Sequence, residues 1–422
     1  MSMPIANNKP QAYDVVVLGA GYAGLMAALR LGQRGLGLRV ALVNAEESFI
    51  ERIRLQEAMV APVKPRIASL SAYLAGTPVD FIRARVTGLD AGQRRVRIER
   101  DGACSELEFS QAVYALGSHV DTQPVPGVAE HAYRLDPGGG PRSAAALRAA
   151  LAAGADRAIR VLAIGGGPLS IEAAGEVKST WPRMQVTLVS ASRAGDFTSL
   201  KVEAVLRRDL SRLGVQLMDH ERIDEVRATE VVTASGRRLP YDICIWAGGM
   251  RAPSTAKDAG LAVDPHDRIM VGPDMRSVSH PHIIAAGDSG APVAPTGAPY
   301  RLAALTAAVS GVYAGEQAAA ERSGKRPPPF SFSTFAQAVA VGRYAALFPL
   351  DPNDRQILFV LGGRAGRRLR DALVWLVLHF ITLERHFPGL QSWPGRTRVT
   401  QREADAAVSA ITPTAASSPP AL

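Results

Sequence analysis

The chain of 422 residues has only two cysteines, Cys104 and Cys244, far apart and outside any C-x-x-C. That excludes a disulfide framework and a paired-thiol electron relay, and it points to a reducing, cytoplasmic setting. No early apolar core and no twin arginine mark a secretion signal. No apolar run reaches the length of a membrane span. The sequence also lacks a Ser-His-Asp order, a metal-ligand cluster and a P-loop, which removes the usual starting points for hydrolytic and metal-assisted chemistry. Acidic residues number 39 against 48 basic ones, for a formal net charge of +9. This excess, mostly arginine, suits anionic cofactors, acidic partners or an anionic membrane surface. No basic stretch is interleaved with aromatics, which argues against nucleic acid.

Hydrophobic residues make up 47% of the chain, enough for the cores of two or three domains. The most informative stretch is Tyr13–Asn44. A β-branched run, Val15-Val16-Val17-Leu18, leads into Gly19-Ala20-Gly21-Tyr22-Ala23-Gly24, then an Ala/Leu-rich helix, then the apolar strand Val40–Asn44. Framed in this way, G-x-G-x-x-G is a dinucleotide-binding signal. Gly19 permits the tight turn, Gly21 lets a pyrophosphate approach the backbone, and Gly24 lets the helix lie close to the strand. The helix N-terminus offers free N–H groups to the phosphates.

The pattern then repeats. Ile159–Ile164 is a strand, Gly165-Gly166-Gly167-Pro168-Leu169-Ser170 a glycine turn, Ile171–Lys178 a helix and Gln185–Ser190 a second strand. Gly19 to Asn44 and Gly165 to Ser190 both span 25 positions, which implies two dinucleotide sites in one chain. Pro168 suits a first helical turn, and Ser170 is a small residue in the third-glycine position. Each second strand lacks the acid that usually holds a ribose. Asn44 and Ser190 stand there instead, and Ser190 with Arg193 would accept a 2′-phosphate, a lean toward NADPH or toward dual use.

Elsewhere, Val79–Arg85 and Arg94–Glu99 alternate like antiparallel strands, with turns at Gly92 and Asp101-Gly102. Ala112–Ser118, Tyr241–Gly249 and His282–Asp288 each run from an apolar strand into a small-residue turn. Pro124, Pro126, Pro137 and Gly138–Gly140 mark a linker. Leu302–Ala320 and Arg370–Arg385 are expected helices, Phe330–Leu350 strands, and Ala406–Leu422 a low-complexity tail.

With both glycine motifs and Gly287-Asp288 in view, residues 13–348 resemble the two-dinucleotide-binding-domain flavoproteins. Three further stretches resemble the type II NADH dehydrogenase-like branch: Phe49–Leu55, Ala336–Arg343, and Trp375-Leu376-Val377-Leu378-His379 followed by Trp393. The resemblance implies an α/β fold of two Rossmann-like three-layer domains, the second inserted in the first, plus a C-terminal strand-and-helix region. The expected boundaries are a disordered leader at 1–12, an FAD domain at 13–122 and 250–325, an NAD(P)H domain at 123–249, a C-terminal region at 330–400 and a disordered tail at 401–422.

It also implies the site. FAD pyrophosphate would sit on Gly19, Ala20, Gly21 and Gly24, with Asn44 at the ribose and Arg54 meeting phosphate or ribose, unless that arginine simply faces solvent. Ala115, Leu116 and Gly117 would pass near FAD, and Asp288, beside Gly287, would bind the ribityl chain. NADH or NADPH would lie on Gly165, Gly167 and Ser170, with Glu172 toward the nicotinamide. Tyr22, Ala23, Val86, Ser190 and Gly248 complete the candidates. Hydride transfer from nicotinamide C4 to flavin N5 needs positioning more than acid–base groups, so no obligatory catalytic side chain is expected. The family's acceptor is a quinone, although Ala304-Leu305-Thr306-Ala307 lacks the glutamine of its quinone pocket. Rival readings are a ferredoxin-type reductase and a low-turnover flavin redox sensor. The segment at 364–385, too short to span, could lie on the inner face of a membrane or serve as a core or dimer helix in a homodimer.

Overall fold

The computed structural model describes residues 10–33, 36–136, 140–292, 301–332, 334–351, 355–357, 359–387 and 389–391. Residues 1–9 of the expected leader, Pro137, Gly138 and Gly139 of the linker, Trp393 and the tail at 401–422 lie outside the described residues.

The first sheet begins with β1 (Gln11–Leu18), α1 (Tyr22–Gln33) and β2 (Val40–Asn44), the expected unit. β1 starts two residues early. Gln11 and Ala12 pair in register with Leu107 and Glu108, so they belong to the sheet and not to a leader. Val16, Val17 and Leu18 are fully buried, as expected for a parallel strand covered on both faces. The expected antiparallel run Val79–Arg85 divides at Ala84. β3 (Val79–Arg83) runs parallel to β2, and β4 (Arg85–Asp90) is antiparallel to β5 (Arg95–Arg100), which pairs antiparallel with the first half of β6 (Ala103–Tyr114). Alternation alone does not distinguish a parallel edge from a hairpin arm, because both have one partly wetted face.

The second sheet is entirely parallel. It orders β10 (Gln216–Met218), β9 (Gln185–Val189), β8 (Arg160–Ile164), β11 (Ile243–Trp246) and β7 (Tyr133–Arg134). Its helix α2 (Pro168–Thr180) starts three residues before the expected Ile171, with Pro168 in its first turn. The chain then returns: β12 (Ile283–Ala285) pairs parallel with the second half of β6.

α3 (Ala304–Ser323) packs on α1 at very short range. A Cβ at Gly311 would lie 2.1 Å from the Ala23 carbonyl oxygen. The hairpin β13 (Ala336–Val341) and β14 (Tyr344–Pro349) turns at Gly342 (φ +56) and covers α2. α4 (Gly363–His386) starts seven residues before the expected Arg370. Gly366, Arg370, Val374, Leu378, Ile381 and Glu384 form its buried stripe, whereas Leu369, Leu373, Trp375 and Leu376 are exposed. No helix among the described residues is long and apolar enough to cross a membrane.

α4 ties the two sheets together. Near its C-terminus, Glu384 accepts from Nε (2.5 Å) and Nη2 (3.0 Å) of Arg30 on α1, and both side chains are almost fully buried. Near its N-terminus, Arg367 donates to Glu176 of α2 at 2.7 Å.

Candidate functional site

The first glycine turn is built by close approach. Gly19 has φ +94 and a Cβ there would sit 2.4 Å from the Ala115 carbonyl oxygen, while one at Gly24 would sit 1.7 Å from that of Gly19. Gly21 has nothing within 4 Å, so a ligand can reach its backbone. Asn44 braces the turn rather than standing free. Its Oδ1 accepts the Ala20 N–H at 2.9 Å, and its Nδ2 donates to the Glu46 carbonyl at 2.8 Å. Tyr22 and Ala23 lie in the buried first turn of α1, with Tyr22 edge-on to Phe49.

A cavity of about 350 Å³ opens from this turn. Gly19, Ala20, Gly21, Asn44, Val86, Ala115, Leu116 and Gly117 all line it, so these sequence candidates converge, whereas Gly287 and Asp288 border a separate small pocket. Arg54 does not. It pairs with Glu51 (3.1 Å) and Glu57 (2.9 Å), and Arg52 takes the expected place at the cavity wall, donating to the Ser118 carbonyl at 2.6 Å. Both arginines belong to one 3₁₀ turn, and nothing in the local pattern ranks one above the other.

Gly287 (φ +64) brings the end of β12 against α1, where a Cβ would meet Ala23 at 3.0 Å. Its N–H donates to Ser310 Oγ at 2.9 Å, and Asp288 accepts the Ser118 hydroxyl at 2.7 Å. Ser118, Ser289 and Ser310, which no motif singles out, buttress the site from three separate segments, Ser289 Oγ accepting the Gly117 N–H at 2.7 Å. An anionic dinucleotide fits this arrangement: open backbone at Gly21 beside the N-terminus of α1, a cavity past Val86 and Ala115, and a carboxylate beyond at Asp288.

The second turn repeats the plan with different details. Gly165 (φ +133) faces the Ala247 carbonyl oxygen at 2.6 Å from a would-be Cβ, and Gly167, the N-cap of α2, is open. Ser170 fits the third position because it is fully buried with its hydroxyl donating to the Gly167 carbonyl at 2.9 Å. A Cβ at Gly248 would fall 2.4 Å from the Trp246 indole. Ser190 is buried beside Gly166, and its hydroxyl has no hydrogen-bond partner. Arg193, expected to be available beside it, instead donates twice to Glu203.

Between the sheets lies a second cavity, of about 500 Å³. Arg52 lines both cavities, so they share a wall. Leu373, Leu376, Val377 and Phe380 of α4 supply one side, and Pro168, Leu169 and Glu172 of α2 the other. The Glu172 carboxylate accepts the Ala340 N–H at 3.0 Å. Burial pushes it up to about 7, and the charge of Arg370 offsets this only in part. Arg370 is itself held by Glu57 at 2.8 Å, and hydrogen bonds from Arg370 and Arg54 outweigh burial to keep the Glu57 carboxyl below its usual range.

Cys104 and Cys244 are both free, one exposed on β6 and the other buried in β11. No group of metal-ligating side chains occurs among the described residues.

Residues 13–308 match the model of the pyridine nucleotide-disulphide oxidoreductase family. An NADH dehydrogenase-like protein of Mycobacterium tuberculosis is 29% identical over 296 residues, covering 66% of this chain and 72% of the relative. Among solved structures, the sulfide:quinone oxidoreductase of Aquifex aeolicus superposes with a TM-score of 0.73 at 16% identity, over 92% of this chain and 100% of that one. NDH2 from Plasmodium falciparum in complex with NADH gives 0.73 at 12% identity, over 90% and 99%. The chain belongs to the pyridine nucleotide-disulphide oxidoreductase family, flavoproteins that work with FAD and NADH or NADPH, and it does so without the paired cysteines of that name.

Proposed function

We propose that this chain moves electrons from a nicotinamide nucleotide through FAD to an apolar, quinone-type acceptor. The observation that carries the reading is the cavity of about 500 Å³ between the sheets, apolar on its α4 side and sharing Arg52 with the glycine-turn cavity. FAD, when bound, supplies two-electron chemistry, taking hydride from the nicotinamide and returning electrons to the acceptor.

The chain's own groups position and protonate. Gly19, Ala20, Gly21 and Gly24 would hold the FAD pyrophosphate, with Asp288 beyond and Gly165, Gly167 and Ser170 facing the nucleotide. Reducing a quinone takes up protons as well as electrons. Glu172, protonated up to about pH 7, holds one at the cavity wall. Leu373 and Leu376 make one side of the cavity apolar. With the exposed Leu369 and Trp375 and the arginines at 364 and 368, they also suit an interfacial helix through which an apolar acceptor enters from a membrane surface. The domain division at 13–122 and 250–325 against 123–249 is supported by the return of β12 to the first sheet.

The test is anaerobic. NADH or NADPH should bleach the flavin band near 450 nm, and a short-chain quinone should restore it. Leu376→Trp should slow quinone reoxidation by about tenfold, roughly one misplaced apolar contact, while ferricyanide, which needs no apolar cavity, reoxidises at the parent rate. Equal slowing of both acceptors would sink the assignment of the cavity. A flavin that neither nucleotide bleaches would sink the whole reading.

A further inference from the structure

This inference rests on the reading that the second glycine turn holds the nicotinamide nucleotide. The loop after β9 lies on that turn. Gly195 N–H donates to the Gly166 carbonyl at 3.1 Å, and a Cβ at Gly166 would meet Ser190 Oγ at 2.3 Å. The adenosine ribose of a nucleotide on this turn therefore faces residues 190–195. A carboxylate at the end of β9 would accept a ribose hydroxyl and repel a 2′-phosphate. Ser190, neutral and 2% exposed, does neither by charge.

The discriminating charge lies one step away. Nε and Nη2 of Arg193 both donate to Oε1 of Glu203, at 2.9 and 2.6 Å. The Arg193 side chain is 54% exposed, that of Glu203 only 4%. Glu203 stands in the first turn of the helix Leu200–Leu213 and packs against Gly195, which fixes it beneath the loop. Arg207 on the next turn is 4.0 Å from Glu203 and is drawn to Asp219 at 2.8 Å. Around them, Arg222 pairs with Asp224, and Glu221 with Arg237. The rim is thus neutralised pair by pair. Bound to Glu203, Arg193 has its Nε and Nη2 donors engaged and its charge neutralised, so its full charge reaches a 2′-phosphate when it leaves Glu203, which strands a buried carboxylate with Arg207 4.0 Å away, and stranding a buried charge is unfavourable.

We infer that Glu203 sets the nucleotide preference: by holding Arg193 it makes NADH the favoured hydride donor, and removing its charge turns the same loop into a 2′-phosphate site. This reverses the preference that Ser190 and Arg193 suggest as bare residue types.

Binding of nucleotide fragments to the full-length, FAD-loaded protein tests this without turnover. The probes are 5′-AMP and adenosine 2′,5′-bisphosphate, measured by titration calorimetry. The parent should bind 5′-AMP at least as tightly as the bisphosphate. Glu203→Gln should shift the affinity ratio toward the bisphosphate by about tenfold, the scale of one freed charge-assisted pair. Adding Arg193→Ala to Glu203→Gln should abolish the shift. A shift under about threefold in a folded Glu203→Gln protein, or its survival in the double variant, would overturn the inference. So would a parent that prefers the bisphosphate, a result that needs no variant to fold. Binding of neither fragment by the yellow parent would overturn the placement of the nucleotide itself, and with it this inference.

Discussion

The two glycine turns share a span and a topology, yet they are held by different means. In the first, Gly24 is indispensable, because any Cβ would fall 1.7 Å from the Gly19 carbonyl oxygen, and the Asn44 amide bonds the turn from the end of β2. In the second, Ser170 occupies the equivalent place, its hydroxyl turned back on the Gly167 carbonyl, and Ser190 makes no bond to the turn. What covers each helix differs too. α1 lies under α3 with an almost fully buried Arg30–Glu384 pair beside it, whereas α2 lies under a hairpin with a partly wetted Arg367–Glu176 pair. A repeated motif preserves the backbone path of the turn, and the means of enforcing that path are local to each unit.

The pairs break this comparison most strongly. Arg30→Met should destabilise by roughly 4 kcal/mol, because it leaves Glu384 charged and fully enclosed. Arg367→Met should lower stability by about half as much, since Glu176 keeps some solvent. Chemical unfolding of the two variants would show the ordering, and equal losses would refute the difference in burial.

The glycine position comes next. Gly24→Ala should lower stability by roughly 3 kcal/mol through overpacking and yield protein depleted in flavin. Ser170→Ala, which removes one hydrogen bond, should cost about 1 kcal/mol and leave flavin content unchanged. Flavin-to-protein absorbance ratios distinguish them.

Asn44→Ala tests the brace alone. Losing the bond to the Ala20 N–H should lower stability by about 1 kcal/mol and speed FAD release on dilution. An unchanged release rate would mean that the brace does not matter to the cofactor.

A pH-dependent test sharpens the role of α2. Burial raises Glu172 from 4.5 to about 7. Between those values the folded chain binds more protons than the unfolded one, so this group's contribution to stability falls as pH rises through the window and stays low above it. Glu172→Gln should therefore raise the melting temperature relative to the parent at pH 8 and not at pH 5. A difference that is the same at both pH values would show that the anion is not penalised.

Much of this architecture is legible in the residues. Both strand–turn–helix units follow from local chemistry, because a glycine turn must have small residues whatever surrounds it, and the resemblance adds Val86 and Ala115–Gly117 to the first cavity, whereas Val43, Ser48, Ile50, Arg52, Pro253 and Thr255 on its wall carry no such signal. The parallel pairing of β3 and the early start of α4 were not legible. The first depends on which neighbour the strand meets, and the second on Arg367 reaching Glu176 and the Gly342 carbonyl across the fold. Arg52 and Arg54 are indistinguishable until Glu51 and Glu57 claim one of them.

The sequence by itself determined two strand–glycine turn–helix units, two cysteines far apart along the chain and a charge surplus carried by arginine, since these follow from residue type and spacing. Tertiary structure alone decided which arginine lines a cavity and which is held by a carboxylate, that Glu172 is pushed to about 7, and that α4 closes an apolar space between the sheets. Charge and burial act through distances of a few ångströms in space: Glu51 and Glu57 hold Arg54 from three residues away, while Arg370 reaches Glu57, and Ala340 reaches Glu172, from far along the chain.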